Sequence, residues 1–302
     1  MSTTGVDDPC CGTFDSPCAS FKGVLERMGS KGKVYFHEGT YTFDQGLGTI
    51  NNVDWEVIGL GDVIIEGGDE TLSEVLDSKF SLSNIVVYCN SPSCFSFVDS
   101  IIQLINSNIF HEAGSTTILT DTSTVFLSNC SFESNSSSLL RSGNSQLVFQ
   151  NVTVSGSFKD SSFILDNTSF DIFYNTFLNI ESSSLFQLTK SDITLSHSSC
   201  SNSNFSSAVF DLTESEVSHL GLSFESVSTV IIFSIKSSVF VIDHFSITSS
   251  IKFDQLLSAE SAEINLDDCI LLSLDSSNNL IFCRHQVFFS KTLHSKTLIA
   301  SH

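Results

Sequence analysis

The chain is poor in most of the features that announce a function. Only 13 of its 302 residues are Lys or Arg, against 34 Asp and Glu, so its formal charge is -21. Clustered cations are what phosphate backbones and anionic lipid headgroups require, so neither nucleic acid nor an anionic membrane surface is an expected partner. Long apolar runs are also missing. Runs such as Val230–Phe233 and Cys269–Leu272 are four residues long, far below the about 20 residues a spanning helix needs, and no membrane insertion is expected. The first eight residues, Met1 to Asp8, lack the basic start and apolar core of a secretory leader. That implies either an intracellular protein or a sequence missing its beginning. With 3 Pro, 2 Met and 1 Trp, neither kinks nor flat indole platforms are abundant. No pair of Cys-x-x-Cys spacings marks a zinc site, and no Gly-x-Ser-x-Gly marks a nucleophile elbow.

What is present is lopsided. About a fifth of the residues are Ser, and there are 27 Phe. Ser-rich chains are often disordered, but here 41% of residues are apolar and they are regularly spaced. β-branched and aromatic residues outweigh helix formers, as strands prefer.

The regularity is an internal repeat, Ser-x-apolar-x-apolar-x-Asn-x-x-apolar, starting at Ser78, Ser100, Ser123, Ser145, Ser169, Ser191, Ser215, Ser238 and Ser261. Successive starts lie 22 to 24 residues apart. The tenth position is Val87, Ile109, Phe132, Val154, Leu178, Cys200, Phe224, Ile247 and Ile270, apolar throughout. Period-2 alternation is the signature of a strand with one buried face. The step of five from the fifth to the tenth position breaks it, so the chain must bend between them. The seventh position sits at that bend: Asn84, Asn106, Asn129, Asn151, Asn175, His197, Gly221, His244 and Asp267. These residue types tolerate left-handed backbone angles, and stacked Asn can bond from coil to coil. Asn84, Asn106, Asn129, Asn151 and Asn175 are therefore the expected structural ladder. A second apolar group before each new Ser adds a second strand.

One such coil cannot bury its inner face alone, whereas stacked coils share a core. The fold class expected is all-β: a single-stranded, right-handed parallel β-helix (a solenoid) of about 12 coils. Residues 1–32 form an N-terminal cap segment, 33–285 the β-helix and 286–302 an irregular C-terminal tail. Ser and acidic residues are expected on the outer faces. In the cap, Phe21, Val24, Leu25 and Met28 share one face of a short helix over residues 20–28, suited to plugging the open end.

Cys11-Gly-Thr-Phe-Asp-Ser-Pro-Cys18, the short helix and Gly32-Lys-Val-Tyr-Phe-His-Glu-Gly-Thr-Tyr-Thr-Phe43 together resemble the N-terminal segment of pectin-lyase-like parallel β-helix proteins. Within that group the chain is similar to protist surface proteins and bacterial polymorphic outer-membrane proteins. Phe132-Glu-Ser-Asn135 matches the Phe-x-x-Asn element of the latter, whose Gly-Gly-Ala tetrapeptides and membrane barrel this sequence lacks. The resemblance spans most of residues 10–285 and implies a surface or adhesion role, usually without catalysis.

Candidate chemistry is sparse. Val241-Ile-Asp243-His244 looks like the Trp-Ile-Asp-His strand of pectate lyases, but those enzymes use Arg as base. Arg27, Arg141 and Arg284 lie in no matching motif. Polygalacturonases carry paired Asp and a Gly-His-Gly. Asp267-Asp268 is the sole pair in the repeats, and adjacent residues of a strand face opposite ways. His197 and His244 occupy equivalent slots two coils apart, roughly 10 Å by strand spacing, too far to share a zinc ion. His219 lies at another slot. Gly59-Leu-Gly61 is followed by a strand pattern rather than the helix a nucleotide loop needs. No catalytic, metal or cofactor-binding residue is expected, and no cofactor.

Trp55, Tyr35, Tyr41, Tyr88 and Tyr174 are the aromatic residues able to serve a sugar, and Phe is assigned to the core. Sequons start at Asn129, Asn135, Asn151, Asn167 and Asn204. Chance alone produces about that many here, and Asn129 and Asn151 are expected to be buried in the ladder. Of the nine Cys, Cys10, Cys11 and Cys18 cluster, and Cys89 and Cys94 bracket a turn. Small disulfide loops and free buried thiols both remain open.

The leading functional expectation is a non-catalytic surface or scaffold β-helix, extracellular or cell-surface, with a glycan or protein as partner. The alternatives are a carbohydrate-active lyase or hydrolase of the pectin-lyase-like type and a carbohydrate-binding module.

Overall fold

A computed structural model describes residues 1–44, 46–112, 114–242, 244–249, 255–260, 262–266, 270–271 and 287–290. Among these are 28 strands and one helix, Phe21–Leu25. The fold is a parallel β-solenoid, and it divides into two compact units, Met1–Ser136 and Ser137–His302.

In the first unit, Lys31–Phe43 pairs with Asp54–Gly67, which pairs with Lys79–Ser83 and Val86–Cys89. Lys79–Ser83 then pairs with Ile101–Ile105, and that strand with Thr124–Ser128. Val86–Cys89 continues to Asn108–His111 and Ser131–Ser134. A third series runs Gly48–Asn51, Ser73–Leu76, Phe95–Val98 and Thr116–Asp121. All of these pairs are parallel, and each regular coil contributes three strands rather than two. Gly59 and Gly61 lie within the strand Asp54–Gly67, so no phosphate loop exists there.

The second unit repeats the arrangement. Gln146–Gln150, Ser169–Phe173, Asp192–Ser201, Glu216–Glu225, Val239–Ile242 and Glu263–Leu266 pair in parallel succession. The strand Val287–Ser290 pairs antiparallel with Glu263–Leu266. Nine rungs follow the Ser-led repeat, three in the first unit and six in the second. Two longer rungs precede them, so the count of regular turns is about nine rather than twelve.

The repeat Ser explains the composition, and it corrects one expectation. These residues point inward. Ser78, Ser100, Ser123, Ser145, Ser191, Ser215 and Ser238 are all buried. Each follows a residue with φ between 46° and 51°: Asp77, Asp99, Thr122, Asn144, Lys190, Glu214 and Ser237. The left-handed corner turns the small side chain into the core. There its hydroxyl donates to the carbonyl two residues back, as Ser100 does to Val98 at 2.7 Å and Ser191 to Thr189 at 2.9 Å. The same oxygen accepts the backbone N–H of the equivalent residue one coil earlier: Ser78 to Ser100 at 3.2 Å, Thr168 to Ser191 at 3.0 Å, Ser191 to Ser215 at 3.1 Å. A corner amide that cannot join the strand ladder is thereby satisfied. Leaving it bare would cost about 1–3 kcal/mol.

This column also exposes a slip of one residue. In the coil assigned to Ser169 the corner hydroxyl is that of Thr168, which follows Asn167 at φ 48°. Phe170, Ile172 and Phe177 are therefore the inward residues, in place of Asp171, Phe173 and Leu178. The last assigned coil slips likewise. Val239 pairs with Glu263, which sets Ser238 opposite Ala262 rather than Ser261.

The core is built from Phe. Among the described residues, the twelve largest fully buried side chains are all Phe, each worth about 1.5–3 kcal/mol over its exposed state. In the second unit Phe163, Phe186, Phe210 and Phe233 stack on consecutive coils with centroids 5.1, 5.2 and 5.5 Å apart. At the start of the chain, Phe21 of the helix packs its ring against Phe36, Phe43 and Trp55. The helix spans five residues rather than nine.

Candidate binding surface

The ladder asparagines stand outside the core. Asn84, Asn106, Asn129 and Asn151 are exposed corner residues with φ between 50° and 57°. Asn106 Nδ2 donates to Asn84 Oδ1 at 3.2 Å, and Asn129 Nδ2 to Asn106 Oδ1 at 3.1 Å. Asn175 differs because of the register slip. Tyr174 takes the corner at φ 57° and Asn175 turns inward. Its Oδ1 accepts the Val152 N–H at 2.7 Å, the role Ser plays elsewhere.

Asp243, Asp267 and Asp268 lie outside the described residues. His244 pairs through its backbone with Gly221. His197 is an exposed corner residue at φ 51°, its ring stacked on Tyr174 with centroids 5.0 Å apart. Arg27 donates to the carbonyls of Gly23 and Asp8, and Arg141 pairs with Asp160 at 3.0 Å. Both described Arg residues are thus held in local structural contacts.

One geometry looks like a nucleophile and base. His111 Nδ1 lies 3.0 Å from Thr117 Oγ1, and its Nε2 lies 2.8 Å from the Ser91 carbonyl. A carbonyl only accepts, so Nε2 carries the hydrogen and Nδ1 receives the Thr117 hydroxyl. Ser134 and Ser136 extend the cluster at 2.9 Å each. His111, Thr117, Ser134 and Ser136 are all buried. The cluster satisfies polar groups beneath the Cys89–Cys94 loop, and no substrate reaches it in this state.

Cys11–Cys18 and Cys89–Cys94 form disulfides; among the described residues Cys10, Cys130 and Cys200 are free. Asp7, Cys11 and Cys18 approach one another closely enough to suggest a metal site. Two of the three are joined in a disulfide, so the group has no thiolate to offer. Asp7 instead accepts the N–H groups of Ala19 and Ser20 at 2.9 and 3.0 Å, ordering the entrance to the helix. The bond from Ser20 holds its carboxyl below the usual range.

The aromatic candidates separate clearly. Trp55 is buried and donates to the Gly29 carbonyl at 2.9 Å; Tyr41 is buried and donates to the His37 carbonyl at 2.7 Å. Tyr35, Tyr88 and Tyr174 are exposed, Tyr174 at 58%. Tyr88 stacks nearly parallel on Phe110, with centroids 4.8 Å apart. In the outward register of four consecutive rungs stand Glu66, Tyr88, Phe110 and Glu133. This column joins two stacked rings to flanking carboxylates, with Glu66, Tyr88 and Glu133 exposed and Phe110 half-buried. It offers apolar contact and hydrogen-bond acceptance together, a combination suited to hydroxyl-bearing ligands.

No family model matches the chain, and no curated protein matches it. Solved structures do. An alginate lyase from Paenibacillus sp. str. FPU-7 superposes with a TM-score of 0.50 at 10% identity, over 79% of this chain and 95% of that one. A rhamnogalacturonan lyase gives 0.47 at 12% identity, over 84% and 83%. A surface adhesin of Streptococcus pneumoniae gives 0.31 at 11%, over 96% and 100%. At such identities the first of these likenesses establishes the pectin-lyase-like parallel β-helix fold, and the fold alone.

Proposed function

We propose that this chain is a surface or scaffold β-solenoid that binds a partner through its outer strand faces and performs no catalysis. The observation that carries this reading is the outward column Glu66–Tyr88–Phe110–Glu133. The partner is a neutral or basic glycan or a protein surface of that character. The formal charge of -21 repels polyuronates such as alginate or pectate before contact. An extracellular or cell-surface setting accords with the two disulfides, which persist in oxidising compartments.

The test is a glycan array with neutral, amino-sugar and uronic-acid members, read for the wild type and for Tyr88→Ala/Phe110→Ala. Retained neutral or amino-sugar binding in the wild type and its loss in the double variant support the proposal. Preferential binding of polyuronates, or release of unsaturated product from polygalacturonate with Ca²⁺, would overturn it in favour of a lyase.

A further inference from the structure

We infer that the second unit carries an N-linked glycan at Asn151, and that its first sugar packs on the ring of Tyr174. The sequon is Asn151-Val152-Thr153. A glycan is compatible with the folded chain only where the Asn faces water, and burial of Asn151 was the objection that the sequence raised. In the structure Asn151 and Thr153 are exposed while Val152 is buried. Strand alternation produces this arrangement, since residues i and i+2 share a face. The other four sequon asparagines, Asn129, Asn135, Asn167 and Asn204, are exposed as well.

Asn151 differs from those four in what stands beside it. Gln150 pairs with Phe173 and Thr153 with Thr176, so the corner at Asn151 lies next to the corner at Tyr174. Both residues are left-handed, at φ 53° and 57°. His197, on the next coil, covers one face of the Tyr174 ring, at an interplanar angle of 23°. His197 lies on the coil after Tyr174 and Asn151 on the coil before it, so the ring face away from His197 is the one on the Asn151 side. A pyranose linked to Nδ2 meets that face with its C–H groups, the apolar contact by which aromatic rings hold sugars. The two disulfides of the first unit accord with an oxidising compartment, the kind in which glycan transfer also takes place.

The modification needs one co-reactant, an oligosaccharide on a polyprenyl pyrophosphate carrier. The bond from sugar C1 to the pyrophosphate oxygen breaks, and a bond from C1 to Asn151 Nδ2 forms. Nδ2 gives up one of its two protons to solvent, and the carrier leaves as the free pyrophosphate with the electron pair. The Thr153 hydroxyl is the recognition element that the sequon requires.

The experiment uses protein purified from the cells that make it, with Thr153→Ala made in the same cells. Intact mass is expected to fall by one glycan in the variant, and peptide-N-glycanase in H₂¹⁸O should return Asn151 as labelled Asp. An intact mass that changes only by the Thr-to-Ala difference overturns the inference, whatever the other four sites carry. Circular dichroism identical to wild type shows that the variant folds. A further arm tests the packing. Removing only the Asn151 glycan by Thr153→Ala should lower the melting temperature in the wild-type background and leave it unchanged in the Tyr174→Ala background; an equal shift in both defeats the contact with Tyr174.

Discussion

The two units repeat the same inner column and differ in almost everything around it. In both, a left-handed corner residue precedes a buried hydroxyl that satisfies the amide of the coil before. The first unit adds an external asparagine ladder, two disulfides and a helix packed against its first strands. Its positions Ser73, Phe95 and Ile118, aligned on consecutive coils, are chemically mixed. The second unit fills the corresponding inner line with stacked Phe, and its outer corner passes from Asn151 to Tyr174 to His197. The difference teaches which constraints are strict. A corner needs a positive φ and a residue turned inward, a small polar one in the Ser-led column but Ile85 and Val152 after the corners at Asn84 and Asn151; the side chain turned outward is free to become a ladder, a ring or a charge.

The sharpest break of this comparison is Phe186→Ala, which opens a cavity between Phe163 and Phe210 in the second unit. It should cost about 3–5 kcal/mol in urea unfolding. Ile118→Ala in the mixed line of the first unit should cost less, about 2–4 kcal/mol. Equal losses would show that the Phe stack adds nothing to ordinary burial.

The second unit should also lose stability in alkali. Burial pushes the Cys200 thiol up to about 12, well above the ordinary thiol range. The folded state therefore holds the proton more tightly than the unfolded one. That contribution is complete below the ordinary thiol range, about pH 8.5, and is lost as pH rises toward about 12. Cys200→Ala should flatten this part of the pH–stability curve; an unchanged slope would mean that the thiol is not the cause.

At the outer corner of the first unit, Asn106→Ala should cost about 1–2 kcal/mol. It loses ladder bonds and places a Cβ residue without local hydrogen bonding at φ 50°. Asn106→Gly should cost less, because Gly adopts that angle freely. Equal losses in the two variants would mean that the side-chain ladder, which both remove, matters more than the backbone angle. The smallest effect is expected at Ser73, whose buried hydroxyl has no hydrogen-bond partner. Ser73→Ala should be neutral within about 0.5 kcal/mol or slightly stabilising.

Much of the fold was legible in the spacing of Ser, Asn and apolar residues, because a solenoid writes its geometry once per coil. The slip at Ser169 shows the limit. Thr168 takes the place of Ser, and a Ser follows it directly, so residue type alone selects the wrong neighbour. The inward direction of the repeat Ser was also missed. A polar residue at period 2 reads as solvent-facing unless the corner carbonyl two residues back is considered. The surface column was harder still. Tyr88 and Phe110 are 22 residues apart in sequence, and Phe is ordinarily core. Only strand register brings them together. The His111 cluster gathers residues from three coils and left no motif at all.

The inner hydroxyl column is the central physical claim, and one pair of substitutions tests it most directly. Ser191 is buried and bonds both Thr189 O and Thr168 N, whereas Ser169 is exposed on a neighbouring coil. Measured by urea unfolding, Ser191→Ala should cost about 1–3 kcal/mol, and Ser169→Ala should stay within about 0.5 kcal/mol. Losses of the same size at both positions would contradict the account.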